Sequence, residues 1–151
     1  MTTETAPETV LIEELTNLSN LQEIETVISG MAVDHQAMVA KEEQGYLWKF
    51  QYGSVEVFVR LTGETDDDTF TVWAKVLQLP VANEADLMRK LLEMNWLTTF
   101  EGHFAIVDNQ VVVLATRTVA ELSPGEIARA ITIVATLADQ HDDILKAEYQ
   151  G

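Results

Sequence analysis

The first strong pattern in the chain has the spacing of an amphipathic α-helix. In Val10–Ser29, apolar residues recur every three or four positions, which is the helical period. Gly30 ends the stretch, and Ser19 with Gln22 three residues later is also a capping-box start. The pattern therefore predicts one helix or two, with a stripe formed by Leu11, Leu15, Leu18, Leu21, Ile24 and Ile28. Residues 31–45 follow neither period decisively, and we interpret them as a connector.

From Tyr46 to Leu79 the period changes to two, which is typical of β-strands with one buried face. A Gly53-Ser54 turn separates two alternating runs, and the acidic stretch Thr62–Asp68 leads to a third run that ends before Pro80. Connections this short join neighbouring antiparallel strands. The pattern predicts a three-stranded meander.

A helix and a second hairpin follow the meander. Asn83 is a suitable N-cap for a helix whose wide apolar stripe continues to about Asn95. His103–Val107 and Val111–Thr116 flank a short turn and are apolar at successive positions. We therefore expect both strands of this hairpin to be central or covered on both faces.

The strongest local signal starts the last helix. Ser123–Glu126 combines an N-cap serine, a proline at the first helical position and a capping-box glutamate. The apolar stripe of this helix continues to Leu145, and three aspartates are expected on its solvent side: Asp139, Asp142 and Asp143. The order α-β-β-β-α-β-β-α predicts one α+β domain over residues 9–151, with a mainly antiparallel five-stranded sheet, after a disordered segment at residues 1–8.

This succession carries a resemblance. Its most similar parts are hydrophobic patterns in Val72–Leu79, Leu87–Trp96, Phe104–Val113 and the helix from Ser123, together nearly half the chain. They resemble the YbjN family, whose fold is that of the type III secretion chaperones. The resemblance implies a chaperone-like or regulatory domain without established catalysis. It also implies a dimer that binds a partner chain, and it supplies no catalytic residue.

Charge and composition exclude several classes of partner and of site. The 151 residues include 25 acidic and 9 basic side chains, a net charge of −16, and no cysteine. The negative charge disfavours nucleic acid and anionic membranes as partners, and no apolar run is long enough to span a bilayer. Because disulfides and thiolate metal sites are impossible without cysteine, we expect a cytoplasmic protein that is not secreted.

Candidate catalytic and metal-binding residues are few. Glu101, His103 and Asp108 form the one conceivable acid–base group, as a remote hydrolase hypothesis, but a histidine at a hairpin end beside two solvated acids is by far the commoner explanation of such residues. The acidic run Glu64–Asp68 lacks the spacing of an EF-hand, and we interpret it as a charged turn. His141 is expected on a solvated helix face. We predict neither a metal nor a cofactor.

Alternation in the meander indicates an interaction surface. If Trp48 and Val72 face the core, aromatic, aliphatic and cationic residues recur on the opposite face of the sheet. The middle helix could instead cover that face. We predict a partner-binding or dimer surface that combines this sheet face with the apolar stripe of the middle helix. The residues of the sheet face are Leu47, Phe58, Arg60, Trp73, Lys75 and Leu77, and those of the helix are Leu91 and Met94.

The leading functional hypothesis is a non-enzymatic, chaperone-like or regulatory protein-binding module that forms a homodimer. The alternative is a regulatory domain that senses a small ligand in a closed pocket between sheet and helix, of a few hundred Å³ on the usual scale of such sites. The hydrolase hypothesis requires that Glu101, His103 and Asp108 converge on a cleft.

Overall fold

An antiparallel sheet of six strands organises the structure, a computed structural model that describes residues 20–32, 37–43 and 45–150. The predicted disorder of residues 1–8, the first part of the predicted N-terminal helix and residues 33–36 and 44 of the predicted connector lie outside the described residues. The elements are α1 (residues 20–31), β1 (Ala37–Lys41), β2 (Tyr46–Tyr52), β3 (Val55–Leu61), β4 (Thr69–Gln78), α2 (Glu84–Leu97), β5 (His103–Val107), β6 (Gln110–Thr118) and α3 (Pro124–Tyr149).

The strand order is β1-β2-β3-β4-β6-β5, which confirms the predicted α+β class, the meander and the antiparallel pairing. The predicted number of five strands is wrong by one, because β1 lies where a connector was expected. All five residues of β1 are exposed. With neither face buried, this strand has no reason to alternate apolar and polar residues, and its sequence therefore carries no strand signal.

The second hairpin differs from the prediction in its surroundings. β6 is central between β4 and β5, as expected, but β5 is an edge strand, and Ile106 and Val107 at its end are exposed. Its apolar sequence therefore does not mean that β5 is covered on both faces. Asp108 and Asn109 connect the two strands with φ of 48° and 60°, the left-handed pair that a tight hairpin turn requires.

The core lies between one face of the sheet and the helices. β2, β3 and β4 contribute alternate buried residues, including Trp48, Val57 and Val72. α3 packs on β3, β4 and β6. Its N-terminus has the predicted capping box, in which the Ser123 hydroxyl and the Glu126 carboxylate accept hydrogen bonds from each other's backbone N–H groups. Fully burying each large apolar side chain contributes about 1.5–3 kcal/mol.

Two residues of α3 that were expected on its solvent side are instead covered. Asp142 is buried because the β2–β3 turn lies over it, and the Ser54 hydroxyl donates to its carboxylate at 2.8 Å. His141 is half-buried and its ring meets the edge of Phe104 at 5.8 Å. The periodicity of α3 did not reveal these contacts because both come from elements distant in sequence.

α2 lies beside the end of α3 and the free edge of β5. The Tyr149 hydroxyl donates to Asp86 at 2.7 Å, and Lys90 bonds to Glu148 at 2.7 Å. At the other end of α2, the Asn95 side chain accepts from the backbone N–H of Phe104 at 2.8 Å and donates to its carbonyl at 3.3 Å. These contacts hold α2 on the helical side of the sheet and leave the opposite face without a helix among the described residues.

Candidate protein-binding surface

The sheet face that points away from α3, here called the outer face, has an aromatic pair at its centre. Phe58 of β3 and Trp73 of β4 are direct cross-strand partners, and their rings stack with centroids 5.2 Å apart and planes 10° from parallel. A cation lies over each ring: the Arg60 guanidinium is 5.3 Å from the Trp73 centroid, and the Lys75 ammonium is 5.3 Å from the Phe58 centroid. Each such contact contributes about 0.5–1 kcal/mol at an exposed site.

The cations of the outer face differ in their carboxylate partners. Arg60 pairs with Glu42 at 3.2 Å, and Lys49 pairs with Glu56 at 3.1 Å. Lys75 has no carboxylate within 4.0 Å among residues 20–32, 37–43 and 45–150. Within the described part of the chain, the charge of Lys75 is therefore compensated by the Phe58 ring and by solvent.

Beside the aromatic pair lies an open depression of about 600 Å³. Phe58 and Trp73 line it on one side, while Val112 and Leu114 of β6 line it from the neighbouring strand. The volume is within the usual range of binding sites, but the lining is a shallow sheet surface with no enclosing wall. Such a shape suits a polypeptide better than a small molecule.

Not all residues of the predicted surface lie on it. Leu47, Phe58, Arg60, Trp73 and Lys75 share the outer face, as alternation predicted, and Lys75 is exposed whereas the other four are half-buried. For these five residues the partner-binding role stays a prediction.

Leu77 and Leu91 are buried in the core, and their predicted exposure is wrong. The pairing register shifts between Lys75 and Leu77, so Leu77 pairs with buried Val111 on the core side. Leu91 belongs to the inward side of α2, and Met94 is half-buried against the same core.

The apolar stripe of α2 was predicted to contribute to a binding surface, but its exposed residues are not the predicted ones. Leu92, Trp96 and Leu97 of α2 and Phe100 of the following turn are 70%, 79%, 75% and 72% exposed; we call these four residues the α2 ridge. Phe100 also has a φ of 54°, a left-handed conformation that costs a bulky residue about 1–2 kcal/mol. The excessive width of the apolar stripe of α2 was the available signal, because one buried face cannot absorb so many apolar residues.

The hydrolase group does not assemble. His103 begins β5 and Asp108 follows its end, so they are roughly 16 Å apart along the strand. Glu101 bonds to Arg129 at 2.8 Å, and this hydrogen bond is the main reason that the pKa of Glu101 lies below its usual value. The hydrolase hypothesis is therefore wrong.

The acidic turn before β4 is held together by its own hydrogen bonds. Asp68 accepts from the backbone N–H and the hydroxyl of Thr65 at 2.9 and 2.8 Å, and from the Thr62 hydroxyl at 2.9 Å. These bonds lower the pKa of Asp68, with the Thr65 backbone contributing most. Within the described part of the chain, no three His, Cys, Asp or Glu residues are grouped so that they could hold a metal ion.

A second open cleft, of about 260 Å³, lies between β6 and α3. Ile133 contributes to its apolar lining, and two ion pairs border it, Arg117 with Glu126 and Arg129 with Glu101. Its size matches the small-ligand alternative, but that alternative predicted a closed pocket. Both arginines are also already bonded to carboxylates of the same chain.

Comparisons with known proteins agree with this geometry in fold. A chain in a structure named "Crystal Structure of the ExsC-ExsE Complex" superimposes with a TM-score of 0.51 at 14% sequence identity, over 82% of this chain and 94% of the other. That likeness confirms the fold, which this chain shares with a chain of that complex. The comparison with curated protein sequences gave no match. No helix in the described ranges is long and apolar enough to cross a membrane.

The family comparison covers most of the chain. Residues 20–147 match the YbjN family, whose description reads "Putative bacterial sensory transduction regulator". The match includes every described strand and helix except the last residues of α3. The resemblance found in the hydrophobic pattern is thereby confirmed, and the chain belongs to the YbjN family.

Proposed function

We propose that this protein is a non-enzymatic regulatory module that binds another polypeptide and forms a homodimer in the cytoplasm. The observation that carries the proposal is the outer face, an aromatic and cationic sheet surface that no described helix covers. Aromatic residues and arginine are the commonest anchors of protein interfaces. The family description and the fold of a chaperone complex support the same class of function. The net charge of −16 argues against nucleic acid and membranes as partners.

The α2 ridge supports self-association. Its four side chains expose roughly 600 Å² of apolar surface, since large aromatic residues each offer about 150–250 Å². A stable interface needs about 800 Å² per partner, so this ridge would supply roughly three quarters of one half of a symmetric dimer interface, and neighbouring residues would have to supply the rest. In a two-fold dimer the same patch meets its own copy, and an all-apolar patch is complementary to itself. We therefore assign dimerisation to the α2 ridge and partner binding to the outer face.

Light scattering on size-exclusion fractions tests the dimer. The wild type should have twice the mass of one chain, and a Trp96→Ser, Phe100→Ser variant should have the mass of one chain with an unchanged circular dichroism spectrum. Met38→Ser is the matched control, because Met38 is 70% exposed on β1 at the opposite edge of the sheet. A wild type that is monomeric at every concentration, or a ridge variant that remains dimeric, would contradict the assignment.

Partner binding is tested with a Phe58→Ala, Trp73→Ala variant. Both side chains lie on the outer face and are only half-buried, so the variant should remain folded and dimeric. It should no longer retain the polypeptides that the wild type retains in pull-downs. If pull-downs with the wild type return no polypeptide, the proposed function fails.

The cleft between β6 and α3 favours a second candidate, a regulatory domain that senses a small ligand there. Thermal stabilisation by a metabolite, lost when Ile133 is replaced by Trp to fill the cleft, would support it. Equal melting temperatures with every compound of a metabolite library would rule it out.

A further inference from the structure

The outer face is less acidic than the rest of the molecule, although Glu42 and Glu56 pair with two of its cations and Asp108 lines the border of its depression. The chain has 25 acidic and 9 basic residues, yet three of the nine cations, Lys49, Arg60 and Lys75, lie on this one face. Two of them are engaged with carboxylates of the same chain. Lys75 is the cation that remains available for a partner on this face, as far as the described residues extend.

The position of Lys75 is also defined. Its ammonium is held over the Phe58 ring at 5.3 Å, beside the depression that Val112 and Leu114 line. An incoming carboxylate can meet this ammonium while an adjacent apolar side chain enters the depression. Lys75 does not have to leave an existing ion pair, so the contact costs none of the chain's own salt bridges.

We propose that the outer face binds an acidic segment of a partner polypeptide, with apolar side chains in the depression and carboxylates at Lys75 and Arg60. This inference rests on the protein-binding function proposed above and adds the chemistry of the partner. Arg60 can contribute because its guanidinium is stacked over Trp73 with one side engaged by Glu42. The overall charge of the chain would favour a basic partner, so a preference for an acidic one has to come from this face.

Binding of short synthetic peptides tests the preference. Two fluorescent amphipathic peptides share leucines at every third and fourth position and differ only in carrying glutamate or glutamine elsewhere. At about 0.15 M salt, fluorescence anisotropy should show the glutamate peptide binding roughly tenfold tighter, because two exposed charge pairs each contribute up to about a factor of five. The Phe58→Ala, Trp73→Ala variant should bind neither peptide.

Two single variants locate the effect. Lys75→Gln should reduce the preference for glutamate to at most about fivefold, the share left to Arg60, whereas Lys49→Gln, which removes a cation already paired with Glu56 on the same face, should preserve the full preference. Equal binding of both peptides by the wild type, or a preference that Lys75→Gln leaves undiminished, overturns the inference and leaves the protein-binding function standing. Absence of binding by the glutamate peptide up to roughly 1 mM also overturns it, and the proposed function is then judged by the dimer and pull-down experiments alone.

Discussion

Asp142 is a buried carboxylate on the side of α3 that faces the β2–β3 turn. The Ser54 hydroxyl lies 2.8 Å from one of its oxygens and 2.9 Å from the other, and the backbone N–H of Asp143 donates to it at 2.8 Å. The Lys146 ammonium is farther away, at 3.7 Å. Ser54→Ala therefore removes a donor that water cannot easily replace. A hydrogen bond to a charged group contributes about 1.5–3 kcal/mol, so we expect about 2 kcal/mol of destabilisation.

Urea unfolding followed by tryptophan fluorescence measures this loss. In thermal unfolding, a domain of this length should lose about 2–4 °C of melting temperature per kcal/mol, so the same variant should melt about 4–8 °C below the wild type. Asp139→Asn is the matched control, because Asp139 contacts the same hydroxyl at 3.1 Å but is only half-buried, and an amide oxygen can still accept from Ser54. A loss below about 0.5 kcal/mol for Ser54→Ala, or equal losses for both variants, would refute the idea that burial makes the Asp142 contact the important one.

Three further predictions concern backbone conformation and pH. Gly53→Ala should destabilise the fold by about 1–2 kcal/mol in urea unfolding, since its φ of +53° disfavours a side chain and the added carbon would lie 2.2 Å from a carboxylate oxygen of α3. The hydrogen bond to Asp86 raises the pKa of Tyr149 to about 12, so the stabilisation by this bond should be fully present below pH 10 and should be lost between pH 10 and 12. Tyr149→Phe should remove this pH dependence of the free energy of unfolding. A titration of tyrosinate absorbance in which all three tyrosines ionise together would contradict this prediction. Burial, and to a lesser extent the charge of Lys90, lowers the pKa of His141 from 6.5. The contribution of neutral His141 to stability is therefore present above pH 6.5 and is lost as the pH falls through the pKa of the folded protein. An NMR titration of His141 that gives a normal pKa would disprove this.

The parts of the fold that the sequence predicted well are those in which a local pattern has one physical cause. β3 alternates because one of its faces is buried at Val55, Val57, Val59 and Leu61 while the other is not. α3 begins where Ser123 and Glu126 satisfy each other's backbone donors, which requires only neighbouring residues. The aromatic pair of the outer face followed from the same alternation in β3 and β4.

The parts that were missed depend on contacts distant in sequence. The bulge that returns Leu77 to the core is a property of the pairing between β4 and β6, and no pattern within β4 encodes it. In α2, Leu91 and Leu92 are equally apolar, yet one is buried and the other is 70% exposed. Only the position of α2 beside α3 and β5 distinguishes them. The position of Asp142 under Ser54 likewise becomes visible only when the β2–β3 turn meets α3.

The contact of Asn95 with β5 affects how the sheet can grow. The amide of Asn95 occupies the N–H and the carbonyl of Phe104, the two groups that an additional strand would use in the middle of β5. At the opposite border, β1 pairs with β2 on one side, and within the described residues no strand pairs with its other side. The two borders of the sheet therefore differ: a foreign strand meets a competing side chain at Phe104 of β5, whereas among the described residues no strand competes for the outer side of β1. Strand addition, whether by a partner or in aggregation, is thus favoured at β1 over β5.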